Sequence, residues 1–291
     1  MRLAEIERHV ASMEELQRIV GAMRAIASMR MQEAVRALPS ARDYGSAIAE
    51  AVHDALAIAA EAVRHTVFDA DRQTHAAPGP RTACRAIVLF AGEHGFVGGF
   101  NQRLIEAVES DLIRTDALLI VGSRGAAFAS ERGHIAAWWH PFATRLTGIT
   151  ETVRTLEDAL LPRISREEVV RADVVFGRYG GSGEIAIERR QLFPLQLRTA
   201  SGNHRGLAPL HGLPAPELLE KLTTEYMLAQ LTEAAIEALA AENAARFAAM
   251  ESARDNVGRR LETLRLDASR ARQEEVTTEL LDLITGEQAL L

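Results

Sequence analysis

From its first residues the chain places apolar side chains at steps of three and four: Leu3, Ile6, Val10, Met13, Leu16, Val20, Met23 and Ala27. That spacing gathers them on one stripe of a helix and matches the seam of a coiled coil. Pro39 is expected to interrupt the helix, because it lacks a backbone N–H and its ring clashes with the preceding turn. Ser40, followed three residues later by Asp43, reads as an N-cap that restarts it. The second piece is expected to continue to about Thr66. Pro78, Gly79 and Pro80 then mark a boundary.

The pattern changes in the middle. Ala86 to Phe90 is a short apolar run closed by glycines, as a buried strand is. Asn101 to Ile113 reads as helix, Ala117 to Val121 as a strand ending at Gly122, and Ser123 to Arg132 as helix. Ile135 to Trp139 reads as a strand and Thr150 to Leu161 as helix. Ala172 to Phe176 is another buried strand, and Glu184 to Leu195 suits a strand at a sheet edge. Strands alternating with helices predict a mostly parallel sheet covered on both faces.

Ser201 to Pro216 holds three prolines and three glycines without periodicity, as a linker does. From Glu217 the chain is helical again, with Leu218, Leu222, Leu231, Ala235 and Leu239 leading into an alanine-rich stretch from Ala234 to Ala253. Val257, Leu261, Leu264, Ala268, Val276, Leu280 and Leu283 carry the stripe onward. Roughly seventy residues at about 1.5 Å rise each span about 100 Å. Such a stripe needs a partner, and the N-terminal helix is the comparable one. The expected fold is therefore α/β: a long antiparallel coiled coil of the N- and C-terminal helices, with a small α/β domain of mostly parallel sheet inserted. Residues 1–66 and 217–291 form the coil, 84–197 the α/β domain, and 67–83 and 198–216 the linkers.

Charge and composition narrow the function. A net charge of −7 speaks against a nucleic-acid binder, which needs a basic face for phosphates. The single cysteine, Cys84, excludes an intrachain disulfide and a multi-cysteine metal site and fits a reducing compartment. No apolar run is long enough to cross a bilayer. The N-terminal segment shows no signal-peptide core, and Glu5, Glu7, Glu14 and Glu15 speak against a transit peptide. No direct membrane insertion is expected.

Gly92 to Gly99 follows a strand and precedes a helix, where phosphate-binding loops sit. Its spacing is not G-x-G-x-x-G, and no Gly-Lys-Ser/Thr is present. A tight strand-to-helix turn, with glycines for positive φ and close packing, is the better reading. His94 has no second ligand at metal-binding spacing, and His134 and His140 flank Trp138 and Trp139 where packing explains them. The chain order yields no catalytic constellation, and no cofactor is expected.

Several segments resemble the F-type ATP synthase gamma family, over nearly the whole length. Gln17-Arg18-Ile19-Val20-Gly21-Ala22-Met23-Arg24-Ala25-Ile26-Ala27 is similar to the family's QKITKAMKMVA. Gly95-Phe96-Val97-Gly98-Gly99-Phe100-Asn101 is similar to GLCGGLN, and Val121-Gly122-Ser123-Arg124-Gly125 to VGKKG. Ala245-Arg246-Phe247-Ala248-Ala249-Met250 with Asp255-Asn256 resembles ARMxAM…xN. Ala271-Arg272-Gln273-Glu274-Glu275-Val276-Thr277-Thr278-Glu279-Leu280 follows ARQxxITxEL, and Gly286, Ala289 and Leu290 follow GGAxAL. Glu93 and His94 stand where the family has Asp-Arg, Val97 where it has cysteine, Ser269 where asparagine is common and Glu287 where a small residue is. These departures concern the subtype, including a divergent or alternate F-type branch, and not the family.

The resemblance implies a non-catalytic central rotor shaft, on the cytoplasmic face of the bacterial plasma membrane as a peripheral part of its complex. The implied partners are the catalytic and non-catalytic subunits of the hexameric head, with an epsilon-type subunit and the membrane ring at the foot. It implies contacts to the ring of catalytic subunits through Arg272, Gln273, Thr277 and Glu279, with Met23 and Arg24 at the matching level. It also implies an apolar bearing tip at Leu280, Leu283 and Ile284. Leu290 and Leu291 join that tip, which should be exposed in the lone chain.

Each assignment has a plainer alternative. Arg272 would be part of a solvated helix face pairing with acids at 274, 275 and 279, and Met23 a seam residue. Two other functions compete: a nucleotide- or sugar-phosphate-binding α/β enzyme with a helical dimerisation arm, and a coiled-coil tether or adaptor.

Overall fold

In the computed structural model, which describes residues 3–66, 85–112, 117–181, 183–195 and 212–288, the terminal patterns form two long helices. These are α1 (Leu3–Thr66) and α6 (Ala215–Gln288). Between them lie β1 (Arg85–Phe90), α2 (Phe100–Glu106), α3 (Glu109–Leu112), β2 (Ala117–Val121) and α4 (Ser123–Glu131). Then come β3 (Trp138–His140), α5 (Ile149–Ser165), β4 (Arg171–Tyr179) and β5 (Ile185–Phe193). The residues group into two compact units, one of Met1–Ser28 with Arg246–Leu291 and one of Met29–Ala245.

In the first unit the two helices run antiparallel, because rising numbers on α1 meet falling numbers on α6. Glu7 pairs with Arg272, Glu14 with Arg265 and Arg24 with Glu251, at 2.7, 2.6 and 2.7 Å. Ile6, Leu264 and Ala268 form a buried seam, with Leu3, Val10, Met13 and Ala271 packed on it. Val20, Ala27, Val257 and Leu261 are buried too. Leu16, expected in the seam, is instead 41% exposed. A strict 3.5-residue repeat steps from Met13 to Gln17 and Val20, and Leu16 falls one position off that stripe. Val276 and Leu280 also leave the stripe and are exposed. They lie beyond Arg272, which pairs with Glu7 near the start of the described part of α1.

In the second unit a five-stranded sheet has the order β3-β2-β1-β4-β5. β1, β2, β3 and β4 are parallel and β5 joins the edge antiparallel, so the mostly parallel sheet is present as expected. Val88, Phe90, Leu119, Val174 and Phe176 face α5, α6, and Ala34 and Leu38 of α1. Ile87, Leu89, Leu118, Ile120 and Val175 face α2, α4 and the 241–245 stretch of α6. Both sheet faces are therefore covered, as βαβ connections require.

Three sequence expectations need correction here. Pro39 does not interrupt α1, which runs through it. Helix stability in a folded chain comes mainly from packing, and Ala34, Leu38, Ala37 and Ala41 around this proline are packed into the core. The expected helix from Asn101 is two pieces, α2 and α3, separated by a turn at Ala107–Val108. The third strand shrinks to Trp138–His140, and Ile135 is 88% exposed. Its apolar residues are stacked against other groups or left in water: Trp138 stacks on His140 at 5.8 Å. Cys84 lies outside the described residues, as do most of the linker positions.

Among the described residues of this unit, buried acids stand at three places: Asp173, Glu237 and Glu242. Asp173 on β4 is 1% exposed and accepts hydrogen bonds from Arg85, Arg171 and Arg189 at 3.4, 3.2 and 2.8 Å. It ties the starts of β1 and β4 to β5 across an irregularity in the β4–β5 register at Ala172/Asp173. Glu237 on α6 is buried and pairs with Arg42 of α1. Desolvation by burial raises its pKa above the ordinary value, and Arg42 only partly opposes this.

Removing one partner of such a buried pair strands the other charges. The arginines around Asp173 are partly exposed and two of them keep Asp111, so Asp173→Ala is expected to lose about 1–3 kcal/mol of stability, read as a lower urea midpoint with an unchanged slope. Glu237 yields a pH prediction. A carboxylate whose folded pKa is raised favours the folded state below its unfolded pKa, and that contribution is lost as pH rises through the folded value. Between its ordinary value of 4.5 and neutrality, the melting temperature of the wild type should fall more than that of Glu237→Gln. Equal slopes would show that this group does not titrate differently on folding.

Candidate functional site

The crevice at the carboxyl ends of the parallel strands is where ligands bind in open α/β sheets, so it is the first place to look for chemistry. Here its donors are already engaged. The loop from Gly92 to Gly99 turns on Gly98, whose φ of 56° suits a residue without Cβ. The carboxylate of Glu93 accepts hydrogen bonds from Ser123 N at 2.9 Å, Ser123 Oγ at 2.8 Å and Phe142 N at 2.7 Å. Ser123 opens α4, so an acid of the chain itself occupies the anion-favouring end of that helix. The amides of Glu93 and His94 donate to Glu242 of α6 at 3.2 and 3.4 Å. Gly92 N donates to Asn101 Oδ1 at 2.8 Å.

The glycines of Val121-Gly122-Ser123-Arg124-Gly125 have a packing reason. A Cβ on Gly122, whose φ is 127°, would stand 2.4 Å from the carbonyl oxygen of Ala91. One on Gly125 would stand 2.1 Å from the Ala91 Cβ. The motif lets α4 lie against the end of β1. These observations favour the reading of the glycine loop as a tight turn over a phosphate cradle. Among the described residues no group of three or more His, Cys, Asp or Glu side chains could hold a metal ion.

The residues expected to contact partners lie in the first unit. Arg272, Gln273, Thr277 and Glu279 are all exposed on α6. Arg272 does not pair with the acids at 274, 275 and 279 but crosses to Glu7 of α1, with both side chains about half exposed or more. Thr277 donates its hydroxyl to the Gln273 carbonyl at 2.7 Å, one turn back. Leu280 is 54% exposed, and Val276 and Leu281 are similarly open. Leu283 and Ile284 belong to α6, but their side chains fall outside the described set, as do Leu290 and Leu291 altogether. On α1, Met23 is half-buried. Arg24 bonds Glu251 at 2.7 Å and lies over the Phe247 ring at 5.6 Å. The structure thus gathers Met23 and Arg24 at one level of the coil and Arg272 to Leu281 along another stretch of α6.

Sequence reasoning missed the roles of Glu93 and Glu242 as acceptors for main-chain amides, and those of Glu7 and Glu251 as cross-helix partners. A helical register for the coiled coil could have paired Glu7 with Arg272. Nothing local signals that Glu242 meets a loop 149 residues earlier in the chain.

Comparison with known proteins bears on the whole length. The family model described as ATP synthase matches residues 2–290. The chain is similar to the ATP synthase gamma chain of Pelotomaculum thermopropionicum, 25% identical over 296 residues, with 99% of each chain covered. It is also similar to the ATP synthase gamma chain of a Sulfurihydrogenibium species, 24% identical over 294 residues, covering 98% of this chain and 97% of that one. Two solved structures share the fold. One is a chain of the Tetrahymena thermophila mitochondrial ATP synthase central stalk and c-ring, with TM-score 0.55, 16% identity, and 81% of this chain and 99% of that one covered. The other is from the Euglena gracilis mitochondrial ATP synthase OSCP/F1/c-ring, with TM-score 0.50, 17% identity, and 89% and 94% covered. With one family model spanning the coiled coil and the sheet alike, the chain belongs to the ATP synthase gamma family.

Proposed function

We propose that this chain is the non-catalytic rotor shaft of an ion-translocating F-type ATPase, coupling rotation at a membrane ring to ATP synthesis or hydrolysis in a hexameric head. The observation that carries this reading is the stretch of α6 from Arg272 to Leu281. There an ordered helix presents Gln273, Thr277 and Glu279 beside exposed Val276, Leu280 and Leu281. Exposed apolar side chains in a row mark a surface made for a partner. The head's catalytic and non-catalytic subunits are the proposed partner there, with an epsilon-type subunit and the membrane ring engaging the foot. Leu280, Leu283 and Ile284 form the bearing tip. Among the described residues no helix is long and apolar enough to cross a membrane. Attachment at the cytoplasmic face of the bacterial plasma membrane is accordingly peripheral and made through those partners.

The physical task is to favour one catalytic conformation over another in each orientation, which requires contacts that differ between orientations. Arg272 and Gln273 suit that task as exposed donors to acidic loops, since a guanidinium can bond a carboxylate bidentately. Met23 and Arg24 are the corresponding candidates on α1. The Arg24 guanidinium is braced by Glu251, so its orientation is set before any partner arrives.

Co-expression with the other subunits of the complex tests the assignment. ATP hydrolysis coupled to ion uptake should appear only when this chain is present; coupled activity without it would sink the shaft reading. Within that assembly, Arg272→Ala together with Gln273→Ala should lower ATP turnover. In the free chain the pair should change stability by at most about 1 kcal/mol, the ordinary limit for an exposed ion pair such as Arg272–Glu7. Normal turnover by the double variant would return both residues to the role of a solvated helix face.

A further inference from the structure

Where α6 crosses the sheet unit, the knobs Leu231, Ile236 and Leu239 give way from residue 240 on to single methyl groups: Ala240, Ala241, Ala244 and Ala245 are buried there. Small side chains allow close approach. At Gly177 of β4 an added Cβ would stand 3.0 Å from the Ala241 Cβ and 2.6 Å from the Phe100 ring. The same smoothness has a mechanical consequence. Apolar contacts are non-directional, and a face of methyl groups offers little relief to resist a helix rolling about its own axis. Over this stretch, beyond the interlocking Leu231, Ile236 and Leu239, directional ties set that angle.

Most of the polar ties from this part of α6 run to long side chains. Tyr44 donates to Glu225, Arg190 to Gln230 and Glu233, and Arg42 to Glu237. Arg42 is 45% exposed, and a guanidinium on a flexible stem can follow a small rotation of the helix. Glu242 differs. It is 3% exposed and accepts from two successive main-chain amides, Glu93 and His94. Main-chain donors cannot swing, and this loop is itself anchored through the Glu93 carboxylate to Ser123 and Phe142 and through Gly92 to Asn101.

We propose that Glu242 is a positioning residue that fixes the rotational setting of α6 against the sheet, so that torque carried along α6 reaches the sheet through main-chain ties. This rests on the reading of the chain as a rotor shaft. The geometry makes Glu242 the stiffest of the side-chain ties named above, because it is the one whose acceptor and donors are both held.

The test uses the assembled complex with its head immobilised and a bead attached through Ile135→Cys, in a chain carrying Cys84→Ser. The angular spread of the bead during a pause between steps reports torsional stiffness. Glu242→Ala should widen its variance roughly two-fold or more, since charge-assisted bonds are about twice as strong as neutral ones and both amide ties are lost. Glu242→Gln, which keeps a carbonyl acceptor without the charge, should restore about half of the narrow spread. Glu242→Asp, which withdraws the carboxylate by one methylene, should widen it and serves if the alanine variant fails to assemble. The melting temperature of each free chain separates a loss of stability from a loss of stiffness. A spread unchanged from wild type in whichever of the alanine and aspartate variants assembles would overturn the proposal. A wild-type chain that neither assembles nor rotates would overturn the shaft reading itself.

Discussion

An apolar stripe on a helix of 64 or 74 residues is unstable in water unless something covers it, and that requirement organises both units of this chain. In the first, the two stripes cover each other. The antiparallel register then dictates which charges meet: Glu7 with Arg272, Glu14 with Arg265, Arg24 with Glu251. Exposed ion pairs of this kind contribute at most about 1 kcal/mol each. The energy of pairing therefore resides in the seam at Ile6, Val20, Ala27, Val257, Leu261 and Leu264, while the ion pairs select the register. Beyond the pairing of Arg272 with Glu7, near the start of α1, α6 goes on with Leu280 and Leu281 exposed.

The same demand explains why an α/β sheet with its carboxyl-end crevice intact in outline has no evident ligand chemistry. Fold alone does not assign function. A phosphate at such a crevice needs free backbone N–H groups and a helix N-terminus. Here Glu93 takes the start of α4 and Glu242 takes the amides of the Gly92–Gly99 loop. Two carboxylates of the chain stand where an anionic ligand would. The competing reading as a nucleotide- or sugar-phosphate-binding enzyme would require breaking the hydrogen bonds of both, or placing a phosphate beside their negative charges. The crevice has become part of the packing between α6 and the sheet.

How much of this was legible in the sequence follows from how local each signal is. The strands at Ala86–Phe90, Ala117–Val121 and Ala172–Phe176 were readable because strands buried on both faces are continuous apolar runs. The Gly92–Gly99 loop was readable as a tight turn and Gly122 as the end of a strand, although the closeness of Ala91 to Gly122 and Gly125 was not. Pro39 misled because the proline rule describes an isolated helix, whereas this one is held by packing of Ala34 and Leu38. Ile135 to Trp139 misled because apolarity was taken for burial at a sheet edge that covers little. Asp173, Glu237 and Glu242 gave no signal at all. A buried charge is defined by partners distant in sequence, and composition records only that acids are present. For the partner-contact residues, the motif at Arg272 to Leu280 was legible as a resemblance, while the crossing of Arg272 to Glu7 needed the coordinates.

The two ends of the usable surface of α6 answer different physical demands. From Glu225 to Ala245 its neighbours belong to the chain itself, so small side chains and fixed polar ties serve best: they bring backbones close and hold them. From Arg272 to Leu281 the chain supplies only the first residues of α1, such as Glu7, and large apolar side chains remain exposed. Burying a fully exposed leucine is worth about 1.5–3 kcal/mol, so Val276, Leu280 and Leu281, each about half exposed, would each gain about half of that against the proposed partner. A helix that is to transmit rotation needs both properties. It must be unable to turn within its own protein, and it must present an uneven, partner-seeking face beyond it. In the proposed function, alanine with buried glutamate provides the first, and exposed leucine beside arginine and glutamine provides the second. Exchanging the two compositions would leave the helical pattern unchanged while removing both functions, which is why amphipathicity alone cannot identify such a helix.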